Sequence, residues 1–108
     1  MPNNNCLYIV VPCYKEEEVL PETAKRLKAK MSELMEQGKI SADSKVTFVN
    51  DGSTDRTWEI ICSLHEADKL FCGINLSRNR GHQNALLAGL MTVRDYADMV
   101  ISMDADLQ

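Results

Sequence analysis

No stretch of this sequence approaches the roughly 18 consecutive apolar residues of a membrane-crossing helix, and Met1 to Asn5 does not read as a signal peptide. The expectation from these two absences is a soluble, cytoplasmic chain. Paired cysteine is also missing. Cys6, Cys13, Cys62 and Cys72 form no C-x-x-C step, and His65 and His82 stand at no zinc-finger spacing from them. That leaves reduced, partly buried thiols. Basic charge is in deficit, with 12 Lys and Arg against 16 Asp and Glu and a net charge of −4. This argues against a nucleic-acid surface driven by phosphate contacts, but not against a nucleotide held in a small pocket. The glycine-rich phosphate cradles are absent too: neither G-x-G-x-x-G nor G-x-x-x-x-G-K-[ST] occurs, nor the G-x-S-x-G nucleophile elbow. At 108 residues the chain is one domain at most, small for a complete enzyme of the parallel-sheet type.

What is present is an alternation of short apolar runs and helical stretches. "CLYIVVP" is apolar on nearly every residue, as a strand buried on both faces should be. A helix is predicted from Val19 to Gln37, with Leu20, Ala24, Leu27, Met31 and Leu34 on one face, Pro21 in its first turn and Gly38 ending it. "KVTFVN" is the second strand. "STDRTWEIICSLHEA" is a second helix with Ser53 or Thr54 as its N-cap and Asp55 in its first turn. "FCGINLS", "GHQNALLAGLMTVRDYA" and "DMVISMD" give a third strand, a third helix with Leu86, Leu90 and Val93 on one face, and a fourth strand. The order β-α-β-α-β-α-β predicts an α/β domain with a mostly parallel sheet and right-handed crossovers. The chain stops in an acidic loop just after the fourth strand, so an incomplete domain is expected, with an unpaired sheet edge that favours homo-oligomers.

In an open parallel sheet, ligands bind beyond the carboxyl ends of the strands, and the unusual polar residues cluster there. After strand one comes Pro12-Cys13-Tyr14-Lys15-Glu16, and after strand two Asn50-Asp51-Gly52-Ser53. After strand three comes Ser77-Arg78-Asn79-Arg80-Gly81-His82, and after strand four Asp104-Ala105-Asp106-Leu107-Gln108. Each has a plain reading and a functional one. Tyr14 either stacks on a base or covers the sheet edge. Glu16 either caps the next helix or binds a ribose, while Glu17 and Glu18 are helix-start charges. Asp51 is either a turn residue or an acceptor for a base N–H or ribose hydroxyl. Arg78 and Arg80 either neutralise a pyrophosphate or pair with the acidic loops. His82 begins a helix whose N–H groups favour anions. Asp104 and Asp106, two residues apart, could share one side of the strand end. With the Gln108 carbonyl they would suit a hard divalent cation; otherwise they are a solvated loop.

Taken together, "IVVPCYKEEE", "VNDGSTDRT", "LSRNRGHQNALLAGL" and "MDADLQ", in this order, resemble family 2 glycosyltransferases. The likeness covers roughly Leu7 to Gln108. It is nearest to the polyprenyl-phosphate branch, the dolichol-phosphate mannose synthases and undecaprenyl-phosphate glycosyltransferases. Two positions depart from the commonest pattern: Lys15 stands where Asn is usual, and Asn50 where a first Asp is usual.

The resemblance implies the nucleotide-diphosphosugar transferase (GT-A) fold and inverting transfer of a sugar to an acceptor, a polyprenyl phosphate or a saccharide. The donor would be a UDP- or GDP-sugar. Pro12, Tyr14, Glu16, Asp51, Arg78 and Asp104 would bind the nucleotide. Asp104, Asp106 and Gln108 would hold Mg²⁺ or Mn²⁺, the first lying near both ribose and metal. No catalytic residue is assigned, because the base and acceptor site lie beyond Gln108 in the family. The parent protein would then be membrane-associated on the cytoplasmic face and act in cell-envelope polysaccharide synthesis. Two other classes are weighed against this: a nucleotide-binding module without turnover, and a phosphotransfer or receiver-like domain. A D-x-D-x-[TV] phosphotransferase wants Thr or Val where Gln108 stands.

Overall fold

The computed structural model describes residues 5–105. Seven elements alternate along the chain: β1 (Leu7–Cys13), α1 (Leu20–Glu36), β2 (Lys45–Asp51), α2 (Thr57–Ala67), β3 (Phe71–Leu76), α3 (His82–Val93) and β4 (Met99–Ser102). All strand pairs are parallel, in the order β3-β2-β1-β4. The chain thus steps outward from β1 to β3 and then returns to the opposite side of β1. Right-handed crossovers put α1 and α2 on one face and α3 on the other. The point of reversal lies between β1 and β4.

Two apolar layers hold the sheet. Leu7, Ile9, Val11 and Cys13 of β1, with Val46 and Phe48 of β2, pack against Leu20, Ala24, Leu27 and Met31 of α1 and Ile61 of α2. Val10 and Val49 point the other way, onto Ala85 and Val93 of α3. This is the period-2 division of side chains that a pleated strand imposes. The central strands are buried on both faces, as their apolar runs predict. The outer strands are not: β3 alternates, and Met99 and Ile101 of β4 are 41% and 49% exposed.

Several expected boundaries move by a residue or more, and the larger helix shifts have local reasons. α1 begins one residue late at Leu20, with Pro21 in its first turn, and Gly38 follows it at φ +72. α2 begins at Thr57, so neither Ser53 nor Thr54 caps it. Ser53 is engaged elsewhere, and the Asp55 carboxylate accepts the Thr57 N–H at 3.0 Å instead. α3 ends at Val93, short of the predicted Ala97, because Tyr96 and Ala97 both donate back to the Val93 carbonyl and turn the chain into β4.

Candidate functional site

The register sets three strand ends level. Cys13 of β1 pairs with Asn50 of β2, which pairs with Asn75 of β3. β4 stops earlier, at Ser102 opposite Val10. The Val10 carbonyl still accepts the Met103 N–H at 3.0 Å, so that edge of β1 faces β4. Two residues on, Pro12 faces the same way. Its missing N–H therefore falls where β4 has ended and no ladder partner is needed. A proline in a central strand is tolerated here because the sheet opens beside it.

A cleft of about 260 Å³ occupies this opening. Pro12 and Cys13 of β1, Tyr14 and Glu16 just beyond it, and Asp51 of β2 line it. Asn79 and Gly81 line it from the loop before α3, and Asp104 and Ala105 from the end of β4. It is the crevice at the topological switch point, where open α/β sheets take their ligands. Five of the residues picked out in the sequence (Pro12, Tyr14, Glu16, Asp51 and Asp104) therefore meet in one place. Arg78 is exposed on the neighbouring loop and is not part of the lining. Asp106 and Gln108 lie outside the described residues. Cys13, Asn79 and Gly81 were not singled out as site residues by the sequence. The Asn79 Oδ1 accepts the Gly81 N–H at 2.9 Å, an Asx turn for which Asn-x-Gly is the available signal.

The walls are tied to one another by hydrogen bonds. Asp51 is buried, and its Oδ1 accepts the Arg80 N–H at 2.7 Å, drawing the β3–α3 loop onto the end of β2. Asn50 donates through Nδ2 to the Asn75 Oδ1 at 2.8 Å and accepts the Ser53 N–H at 3.2 Å. A carboxylate at position 50 could only accept, and would need the Asn75 amide turned over to donate to it. Thr23 of α1 donates its hydroxyl to the carbonyl of Ala105, which anchors the loop carrying Asp104.

Lys15 is the one described non-glycine residue with positive φ, at 54°. That left-handed conformation is costly for Lys and mild for Asn, the residue usual at this place in the resembling family. Lys15 Nζ sits 5.3 Å from the centroid of the Tyr14 ring, both side chains being exposed. An exposed cation–π contact is worth about 0.5–1 kcal/mol, against about 1–2 kcal/mol for the left-handed backbone. Lys15→Asn is therefore expected to raise stability by about 0.5–1 kcal/mol, read as a higher urea midpoint with unchanged slope. An unchanged or lower midpoint would refute the strain assignment.

Two titratable groups at the site have defined states. Burial, and then the nearby Glu16 carboxylate, push the Cys13 thiol up to about 12. It is a neutral wall residue, neither a thiolate nucleophile nor a thiolate ligand. For Asp55, burial alone would raise the pKa. Hydrogen bonds from the Thr57 hydroxyl and from the Thr57 and Glu17 N–H groups outweigh it and hold the carboxyl below its ordinary value. Asp55 is ionised and acts only as an acceptor.

The cleft's donor set is of hard oxygens, with Glu16, Asp51 and Asp104 on its walls. Such donors suit Mg²⁺ or Mn²⁺ rather than a soft metal. Among the described residues, no three acidic, histidine or cysteine side chains come together as a complete ligand group. Asp104 is one of the three expected ligands and lines the cleft; the other two, Asp106 and Gln108, lie outside the described residues. No helix among the described residues is long and apolar enough to cross a membrane.

The sequence model described as glycosyl transferase family 2 matches residues 8–108. The glycosyltransferase YkoT of Bacillus subtilis (strain 168) is 50% identical over 102 residues, covering 94% of this chain and 30% of that protein. An undecaprenyl-phosphate 4-deoxy-4-formamido-L-arabinose transferase of Pseudomonas fluorescens (strain Pf0-1) is 36% identical over 108 residues, covering 96% and 28%. A prophage bactoprenol glucosyl transferase homolog of Escherichia coli (strain K12) is 38% identical over 102 residues, covering 93% and 30%. Among solved structures, the mannosyltransferase PcManGT of Pyrobaculum calidifontis, in complex with GDP-Man and Mn²⁺, superposes with a TM-score of 0.63 at 22% identity. That superposition covers 98% of this chain and 30% of the other. The chain thus spans about 30% of the length of the proteins it matches.

Proposed function

Because this chain belongs to glycosyl transferase family 2 and has the GT-A fold, we propose that it forms the donor-nucleotide half of an inverting, metal-dependent glycosyltransferase. The donor is a nucleoside diphosphate sugar, with uridine the first choice of base and guanosine the second. The acceptor is a polyprenyl phosphate, a reading supported by the relatives named for undecaprenyl phosphate and bactoprenol. One observation carries the proposal: the cleft at the strand-order reversal is walled by an aromatic ring and by carboxylates from three strand ends. Its volume, about 260 Å³, is just below the roughly 300–1,000 Å³ usual for small-molecule sites. It suits a nucleoside better than a whole nucleotide sugar.

In this reading Pro12 and Tyr14 pack on the base, Glu16 takes ribose hydroxyls and Asp51 takes a base N–H or a ribose hydroxyl. Arg78 reaches toward the diphosphate from the rim. Asp104, Asp106 and Gln108 hold the divalent cation. When bound, the cation neutralises charge on the departing diphosphate. A phosphate acceptor is already nucleophilic and needs little help from a base. Binding and orienting the donor are therefore the work proposed for these residues.

Calorimetry with UDP and with GDP, with and without Mn²⁺, tests the reading. Binding of at least one is expected, strengthened by Mn²⁺, and Asp106→Ala should remove the metal-dependent part. Binding of neither would defeat the donor-site proposal. Metal-dependent binding that survives Asp106→Ala would defeat the ligand assignment alone.

A further inference from the structure

Tyr14 and Glu16 flank the left-handed residue Lys15, so the direction of both side chains depends on how that turn is held. Two consecutive backbone donors hold it. The Lys15 N–H donates to the Ser53 Oγ at 2.9 Å, and the Glu16 N–H donates to the Thr57 Oγ1 at 3.0 Å. Both acceptors come from the β2–α2 segment, some forty residues away in sequence. Thr57 is fully buried. Its hydroxyl donates to the Asp55 Oδ1 at 2.6 Å, and the same oxygen receives the Thr57 N–H. An ionised Asp55 cannot donate, so the single Thr57 proton is committed to it. The hydroxyl's lone pairs then face Glu16 as an acceptor.

We infer that Ser53 and Thr57, with Asp55 behind Thr57, are positioning residues that set Tyr14 and Glu16 in the cleft. They do so through backbone hydrogen bonds and touch no ligand themselves. The inference rests on the donor-site reading above and adds to it three residues outside the lining. It also gives the D-G-S-T-D-R-T stretch a use beyond starting a helix. Ser53 and Thr57, four residues apart, each meet one of two adjacent N–H groups on another loop. The left-handed turn at Lys15 is held because both of its flanking donors are satisfied from across the gap.

The test uses Thr57→Val, which keeps the shape and removes the hydroxyl, Thr57→Ser, which restores it, and Ser53→Ala on the loop. UDP and GDP affinities are measured by calorimetry at a temperature where circular dichroism shows each variant folded. Amide exchange of Lys15 and Glu16 is followed by NMR. Thr57→Val is expected to weaken binding about tenfold or more, as small misplacements at a binding site do, and to speed exchange of the Glu16 amide. Thr57→Ser should return affinity to within about twofold of the parent. Ser53→Ala should speed exchange at Lys15. In a Glu16→Ala, Tyr14→Ala background, Thr57→Val should cost no further affinity, since the groups it acts through are gone.

Thr57→Val with parental affinity would overturn the inference while leaving the donor site standing. A parent protein that binds neither nucleotide would overturn the donor site, and the positioning role with it. Should Thr57→Val fail to fold, Ser53→Ala decides: unchanged Lys15 exchange together with unchanged affinity would refute the role.

Discussion

Gly52→Ala is expected to be among the most damaging single substitutions in this protein. Gly52 follows β2 with φ +69, and an added Cβ would stand 2.2 Å from the Asn79 N and 2.3 Å from the Arg78 carbonyl carbon. Both obstacles are backbone atoms, so no rotamer change relieves them. The left-handed conformation costs a non-glycine residue about 1–2 kcal/mol, and overpacking of this kind adds about 1–3 kcal/mol. The expected loss, about 2–5 kcal/mol, is a large part of the roughly 5–15 kcal/mol that folds an ordinary domain. Equilibrium urea denaturation should show it as a lower midpoint.

The damage at Gly52 should also be directional. What the Cβ displaces is the β3–α3 loop, which brings Asn79 and Gly81 to the cleft and gives the Arg80 N–H to Asp51. Any protein that still folds should therefore lose nucleotide affinity as well. Gly38→Ala is the control. That glycine also has positive φ, but a Cβ there meets nothing within 4 Å. It should cost only the backbone contribution, about 1–2 kcal/mol, and leave affinity unchanged. Equal effects of the two substitutions would show that close packing on Gly52 contributes nothing.

How far the sequence discloses all this depends on the kind of interaction. The order of elements is readable because it is written in local periodicity. Leu20, Ala24, Leu27 and Met31 recur at helical spacing, and all four are buried. The strand-end location of Tyr14, Asp51 and Asp104 follows from the same order. The strand order does not, since nothing local says that β4 returns beside β1 instead of extending the sheet past β3. The start of α2 is hidden for a related reason. Ser53 is a good N-cap by type, but its Oγ is taken by Lys15, 38 residues away. Side chains whose partners are distant in sequence leave no periodic trace, which is why Ser53, Thr57 and Thr23 pass for ordinary loop and helix residues. Lys15 shows the opposite case. Its departure from Asn is visible in the sequence, but its cost appears only with the sign of φ.

Asp51 is the residue whose replacement should most affect ligand binding, and two substitutions separate its two tasks. Its Oδ1 accepts the Arg80 N–H, and the residue also lines the cleft. In Asp51→Asn the amide oxygen can still accept from Arg80, so stability should change little. The amide NH₂ then replaces an anionic acceptor and meets any ligand N–H donor to donor. Hydrogen bonds to charged groups are worth about 1.5–3 kcal/mol, so UDP or GDP affinity should fall about 10- to 100-fold. In Asp51→Ala the Arg80 N–H loses its acceptor as well, and an unsatisfied group of that kind costs about 1–3 kcal/mol. Affinity and urea midpoint should then fall together.

If Asp51→Asn binds as tightly as the parent, Asp51 serves the loop alone. A third measurement chooses between the base and the ribose as its partner. N3-methyl-UDP keeps both ribose hydroxyls but lacks the N–H of uracil. If Asp51 accepts that N–H, the parent should bind the methylated nucleotide as weakly as Asp51→Asn binds UDP, and the variant should not tell the two nucleotides apart. If Asp51 accepts a ribose hydroxyl, the parent should bind both alike. The carboxylate would then join Glu16 on the ribose, leaving the base to Pro12 and Tyr14.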